Sequence, residues 1–199
     1  MLHLDRNLVL CVSVAELRSA ATERRTTLAT GWEIAMRAEW INPFIAATAT
    51  TFEVLLECDV ERGKPRLKSA VQPQFEISGL MSMQGEASGL VVVSLHRDVA
   101  VEATRFIVGH ASGAIDADVV DVICEMTNMI AGGANNQLEQ LSMQIGLPSV
   151  ITGKNHVVNY PSGVATITIP CETKWGPFCV DASIKARPSR VLREPTASV

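Results

Sequence analysis

Residues 115–144 read IDADVVDVICEMTNMIAGGANNQLEQLSMQ, and the reading of this stretch decides the fold. Val119, Ile123, Met126, Ile130, Ala134, Leu138 and Leu141 recur at steps of three and four. That spacing puts them on one apolar stripe of a helix. The helix is predicted over 116–142, about 40 Å long at the usual rise per residue. Asp116 suits the N-cap, and Asp118 and Asp121 place negative charge at the positive end of the dipole. Gly146 and Pro148 supply the stop. At about 100° per residue, Glu125 and Asn128 fall opposite the stripe. Being three apart, they are neighbours on one exposed face. Asp121, Gly132 and Asn135 lie on that same face.

The pair Gly132-Gly133 needs a cause, because glycine inside a helix costs roughly 1 kcal/mol relative to alanine. Gly133 turns toward the core, where the close packing of a strand or second helix accounts for it. Gly132 turns outward. There two explanations stand level: packing, or the approach of a partner's backbone.

With 199 residues the chain has room for one domain with trimmings and a sizeable core. An apolar share of 47% and a formal charge of −4 are those of an ordinary soluble globular protein. Nothing concentrates Lys and Arg into a phosphate-binding stripe, which argues against nucleic acid. No apolar run approaches the roughly 20 residues that span a bilayer. The five cysteines, Cys11, Cys58, Cys124, Cys171 and Cys179, are odd in number and irregular in spacing. They read as reduced thiols of a cytoplasmic protein, used as small apolar residues. Cys171 and Cys179 could face each other across a hairpin, but free thiols are expected there. The acidic neighbours of Cys124 dull its thiol.

Outward from the long helix, residues 1–35 differ from the rest. LVLCVSVA is a short apolar run after Arg6, and Ala-rich and Arg-rich text follows. A loosely attached or disordered extension is expected rather than a signal peptide, and Met36 is a second candidate start. The body of the domain is expected over 36–186. Asn42 suits an N-cap and Pro43 a first helical position, opening a helix that ends near Cys58 before the turn-like ERGKP. FEISGLMSM and GLVVVSL read as strands separated by QGEAS. Asp98 caps a second helix through Val108, with Gly109 as its end signal. After the long helix come three β-rich runs, PSVITGKNHVVNY, GVATITIPC and FCVDASIKA, the second ended or bulged by Pro170. The tail over 187–199 is polar with two prolines and reads as disordered. Strands that come in hairpin-like groups favour an α+β layered domain, a mostly antiparallel sheet packed by a long central helix and two further helices.

Conventional catalytic signatures are missing: the sequence has no phosphate loop, no GxGxxG after a strand and no GxSxG elbow. His3, His96, His110 and His156 are scattered, and none pairs at metal spacing with Cys or a carboxylate. His110 and the Gly153-Lys154-Asn155 stretch read as turns. What remains is Glu125-Met-Thr-Asn128. Taken alone, an exposed Glu and Asn on a helix are most often a solvated face.

DVICEMTNMIAGGA, however, resembles the ExxN motif of the CheC, CheX and FliY phosphatases of bacterial chemotaxis. EWINPFIAATATTFEVLLECDVERGKP is similar to the CheX amino-terminal helix with its INPF entry, and the order of elements from about Phe75 to Gly109 also fits. The resemblance covers roughly 36–186. It rests on one ExxN motif, as in CheX-like members, rather than the two of CheC, and it does not reach residues 1–35. It implies a CheX-like fold and a phosphatase acting on the aspartyl phosphate of a CheY-like receiver. Asn128 would orient the attacking water, and Glu125 would bind the receiver's lysine. Asp121, Gly132 and Asn135 would contact the partner. No cofactor of its own is implied, since Mg²⁺ would come with the receiver. CheX-like proteins also pair through their sheets as homodimers, and the β-rich C-terminal half is compatible with that. The competing function is a non-catalytic receiver-binding or flagellar-switch adaptor on the same fold. Presence of both Glu125 and Asn128 favours the phosphatase, because an adaptor need not retain both.

Overall fold

Apolar residues at every second position give each long strand one face that must leave water, and the register of the sheet lines those faces up. The computed structural model describes residues 38–69 and 73–186. Its elements run α1 (Ala38–Leu56), β1 (Glu61–Arg62), β2 (Arg66–Leu67), β3 (Ile77–Gly85), β4 (Ala87–Leu95), α2 (Arg97–Val108), α3 (Ala117–Asn136), a 3-10 turn (Glu139–Leu141), β5 (Met143–Ile145), β6 (Ser149–Thr152), β7 (Ile167–Thr173) and β8 (Gly176–Ala186). The eight strands form one sheet in the order β1-β7-β8-β4-β3-β5, with β2 also on β7 and β6 also on β3. Every pairing is antiparallel. The expected α+β class and its three helices are what the described residues have. The extension over 1–35, with its signal-peptide and start-site readings, and the tail over 187–199 lie outside the described residues.

Cross-strand rows build the core. Ile77 pairs Leu95, Leu95 pairs Phe178 and Phe178 pairs Cys171; Met81, Val91, Ala182 and Ile167 form the next row but one. All of these are buried. The three helices cover this face. Phe52 of α1 stacks on Phe178, ring centroids 4.4 Å apart.

Several boundaries differ from expectation. The helix α3 stops at Asn136, not 142, so it is about 30 Å long. Leu138 is still buried, but as the N-cap of the 3-10 turn that redirects the chain into β5. The helical stripe thus outlasts the helix, because the same spacing serves a tighter turn. Helix α1 begins by Ala38, ahead of Pro43, which sits inside it. Trp40 and Ile41 are buried, and that packing offsets the hydrogen bond that proline cannot give. The N-cap of α2 is His96, whose Nδ1 accepts from the Asp98 N–H, while Gly109 ends the helix at φ 86° as expected. Pro170 neither ends nor bulges its strand. Its ring faces the gap between the short strands β1 and β2, where Gly63 N–H donates to the Pro170 carbonyl at 2.8 Å. No ladder N–H is needed on that side. The short strands β1, β2 and β5 have too few residues to show a period of two. Cys171 lies opposite Phe178 and Cys179 opposite Pro170, so the two thiols do not face each other. Both are free, and burial pushes each up to about 12.

The other face of the sheet is crossed by the segment 153–166. His156 Nε2 lies 2.9 Å from Ser78 Oγ, Val158 is buried, and Lys185 Nζ donates to the Ser162 carbonyl at 3.1 Å. Beneath it, on β8, Asp181 is fully buried. Its carboxylate accepts from Thr168 Oγ1 at 2.6 Å and Tyr160 Oη at 2.7 Å, and pairs with Lys68 Nζ at 2.8 Å. Lys68 also lies over the Tyr160 ring, 5.4 Å from its centre. Burial and then the Asp181 charge push the Tyr160 hydroxyl far up, so it stays a donor. Removing one partner of a buried pair leaves the other charge uncompensated. Asp181→Ala is therefore expected to lower the unfolding free energy by about 3–5 kcal/mol. Tyr160→Phe, which keeps the ring and loses one charged hydrogen bond, is expected to lower it by about 2 kcal/mol. Urea unfolding of the two variants checks the order; equal losses would show that the network is not centred on Asp181.

Candidate functional site

The display face of α3 follows from two places where its backbone is let in close. At Gly79 of β3 a Cβ would stand 2.0 Å from Thr127 Oγ1 and 3.1 Å from Ile123 Cγ2. At Gly133 a Cβ would stand 3.1 Å from the Cβ of Ala47 on α1. Gly133 is thus explained by helix packing, as its inward position suggested. Thr127 faces the sheet, its hydroxyl donating to the Ile123 carbonyl at 2.7 Å. Val119, Val122, Ile123, Met126, Ile130, Ala131 and Ala134 are buried around it. Asp116 caps the N-terminus, accepting from the Val119 N–H at 3.2 Å and from the Ser112 hydroxyl at 2.6 Å. Those bonds, the serine's foremost, hold its carboxyl below the usual range.

With Thr127 turned in, the helical step of about 100° turns Glu125 to solvent and sets Asn128 on its flank. Asp121 and Glu125 are exposed; Asn128 and Gly132 are half-buried. Among the described residues, no hydrogen bond or ion pair holds the Glu125 carboxylate or the Asn128 amide. Both groups are therefore uncommitted and one turn apart on a helix pinned to its sheet. Gly132 leaves open space, its nearest neighbour being Ile145 Cδ1, 3.9 Å from where a Cβ would be. Asn135 departs from the expected pattern. Its Nδ2 donates to the Met143 carbonyl at 3.0 Å, so it ties β5 to the end of α3 instead of facing out. The wheel could not show this, because β5 arrives from beyond the helix. Cys124 beside Glu125 is half-buried, and burial, then the Asp121 charge, raises its thiol above the ordinary range. Among the described residues no three His, Cys, Asp or Glu side chains gather as a metal site, and no helix is long and apolar enough to cross a membrane.

Residues 77–172 match the family model described as chemotaxis phosphatase CheX. That segment contains the sheet from β3 to most of β7 and the whole of α3. Over this segment the chain is similar to CheX. Among solved structures, it is 27% identical to a CheC-like superfamily protein from Shewanella sp. PV-4, with a TM-score of 0.69 over 75% of this chain and 99% of that one. It is also 27% identical to a chemotaxis protein CheX from Desulfovibrio desulfuricans, with a TM-score of 0.68 over 74% and 99%. The CheX–CheY–BeF3–Mg²⁺ complex from Borrelia burgdorferi shares the fold at 23% identity, with a TM-score of 0.61 over 75% and 98%. No curated protein matches the chain in sequence.

In this CheX-like frame the Gly79–Thr127 contact sets the helix and hence its outward face. Gly79→Ala is expected to lower the unfolding free energy by roughly 1–3 kcal/mol, the usual range for overpacking. In a Thr127→Ala background the loss should shrink, because the hydroxyl is the nearest obstacle. Denaturant titration of the four proteins reads this coupling, and equal losses in both backgrounds would place the obstacle elsewhere.

Proposed function

We propose that this chain accelerates hydrolysis of the aspartyl phosphate on a CheY-like receiver domain. One observation carries the reading: a carboxylate and an amide with no partner of their own stand one turn apart on the solvent side of a pinned helix, within the segment that matches the phosphatase family.

The side chains suit the task. Water attacks phosphorus, the bond from phosphorus to the aspartyl oxygen breaks, and the products are inorganic phosphate and the free receiver carboxylate. This displacement needs positioning and charge stabilisation more than a covalent protein group. The Asn128 amide offers an oxygen that accepts from the attacking water and an NH₂ that donates to an oxygen on phosphorus. It stays neutral at any working pH, so it adds no repulsion to an anionic centre. Glu125 offers a carboxylate to the receiver's lysine, a charge-assisted pair that fixes the register of docking. The metal and the phosphoryl group belong to the receiver. A rigid helix limits the freedom lost on docking and holds the amide near the line of attack. Asp121 and Gly132 extend the contact on either side.

The test loads receiver domains with a small phosphodonor and Mg²⁺ and follows loss of phosphate as this protein is added. Asn128→Ala is expected to lower the maximal acceleration by about a hundredfold or more while circular dichroism stays unchanged. Glu125→Ala is expected to raise the receiver concentration for half-maximal rate by roughly tenfold. Full activity in Asn128→Ala would remove it from the chemistry, and an unshifted concentration dependence in Glu125→Ala would remove that residue from docking.

A further inference from the structure

A receiver cannot be held by one carboxylate and one amide. A specific protein contact takes about 800 Å² from each partner, with apolar anchors at its centre. Such anchors stand next to the proposed site. Ile145 ends β5 with 37% of its surface exposed, and its Cδ1 lies over Gly132. Leu147 follows, 89% exposed.

This leucine is held out by its surroundings. On one side of it β5 pairs with β3 through Met83 and Ile145, and on the other side β6 pairs with the same strand through Leu80 and Ser149. Between them Gly146 N–H donates to the Ser82 carbonyl at 2.8 Å, and a Cβ on Gly146 would meet Ser82 Oγ at 2.6 Å. The chain is thus pressed onto β3 at Gly146 and thrown outward at Leu147. The Asn135–Met143 hydrogen bond fixes the same strand to α3.

We infer that Ile145 and Leu147 form an apolar lip that is the second half of the receiver-docking surface, resting on the function proposed above. Along α3 the face changes in order. Asp118, Asp121 and Glu125 give an acidic end, Asn128 the amide, and Gly132 with Ile145 beside it the apolar end, with exposed Leu147 two residues further along the chain. Asn128 and Gly132 are one turn apart, about 6 Å. Any partner close enough for the Asn128 amide to enter its pocket therefore passes over Ile145. The occupant that fits is a receiver with a basic group over the acidic end and an apolar surface one turn beyond its phosphorylated pocket. Burying Leu147 and Ile145 supplies binding that is the same before and after hydrolysis, so it sets affinity and choice of receiver rather than rate.

The test substitutes Leu147→Ser and Ile145→Thr in the full chain and measures two things. One is the steady-state dephosphorylation of receiver domains; the other is titration of a beryllofluoride-loaded receiver with the Asn128→Ala protein, with and without Leu147→Ser. Leu147→Ser is expected to raise the half-saturating receiver concentration roughly tenfold, equivalent to about 1.4 kcal/mol, with the maximal rate within about twofold. The beryllofluoride titration should weaken by the same factor. An active Leu147→Ser protein with unchanged half-saturation and unchanged titration would overturn the lip and leave the phosphatase reading standing. Wild-type protein that accelerates no receiver would overturn both. Sedimentation of both proteins reads the remaining occupant: a wild-type dimer that Leu147→Ser dissociates would assign the lip to a second copy and overturn the inference.

Discussion

The approach of α3 to β3 at Gly79 governs the rest of the molecule. A side chain there would overlap Thr127, so the glycine lets the helix backbone settle directly onto the strand. Once Thr127 faces the sheet, the helical period leaves no freedom in where its neighbours point. Met126, Ile130 and Ala134 go to the core, Glu125 goes to solvent, and Asn128 lands on the flank. Gly133 against Ala47 sets the second bearing, toward α1. Two glycines, one on the strand and one on the helix, thereby orient a pair of side chains that neither of them touches.

The two faces of the sheet solve different problems. The helix side is an ordinary apolar core, built of residues paired across four strands. The opposite side carries a charged residue that is fully buried, Asp181, and the structure answers its desolvation with three donors from separate segments. Lys68 comes from just after β2, Tyr160 from the crossing segment 153–166, and Thr168 from β7. The ion pair is worth little by itself against the burial of two charges. Its effect is to tie the crossing segment to β8, because the Tyr160 hydroxyl donates to the same carboxylate that Thr168 and Lys68 satisfy.

The site is a display rather than a pocket. Its groups are side chains on a convex helix, with the acidic end, the amide and the apolar lip in sequence along one line. That suits a substrate that is itself a folded protein and brings its own cleft. The proposed chemistry divides the reacting groups between two molecules, and this chain carries the smaller share.

The period of apolar residues was enough to place α3 and to keep Glu125 and Asn128 off its buried stripe, though Asn128 is half-buried rather than exposed. The hairpin-like grouping of strands set the class as α+β with an antiparallel sheet. Gly109 as a helix end and Gly133 as a packing contact were likewise legible, since each is a local rule about backbone conformation or room. The motif and its flanks also carried the family resemblance. What the chain in isolation did not reveal depends on residues far apart in sequence. Asn135 turned out to bind Met143 because β5 folds back against the helix end. The helix ended at Asn136 although its stripe continued, because Leu138 is buried equally well at the cap of the 3-10 turn that follows. Asp181 and Lys68, more than a hundred residues apart, became partners only through the strand order. Periodicity records which side of an element leaves water; which element arrives to cover that side is decided when the sheet closes, by packing and charge that no local window contains.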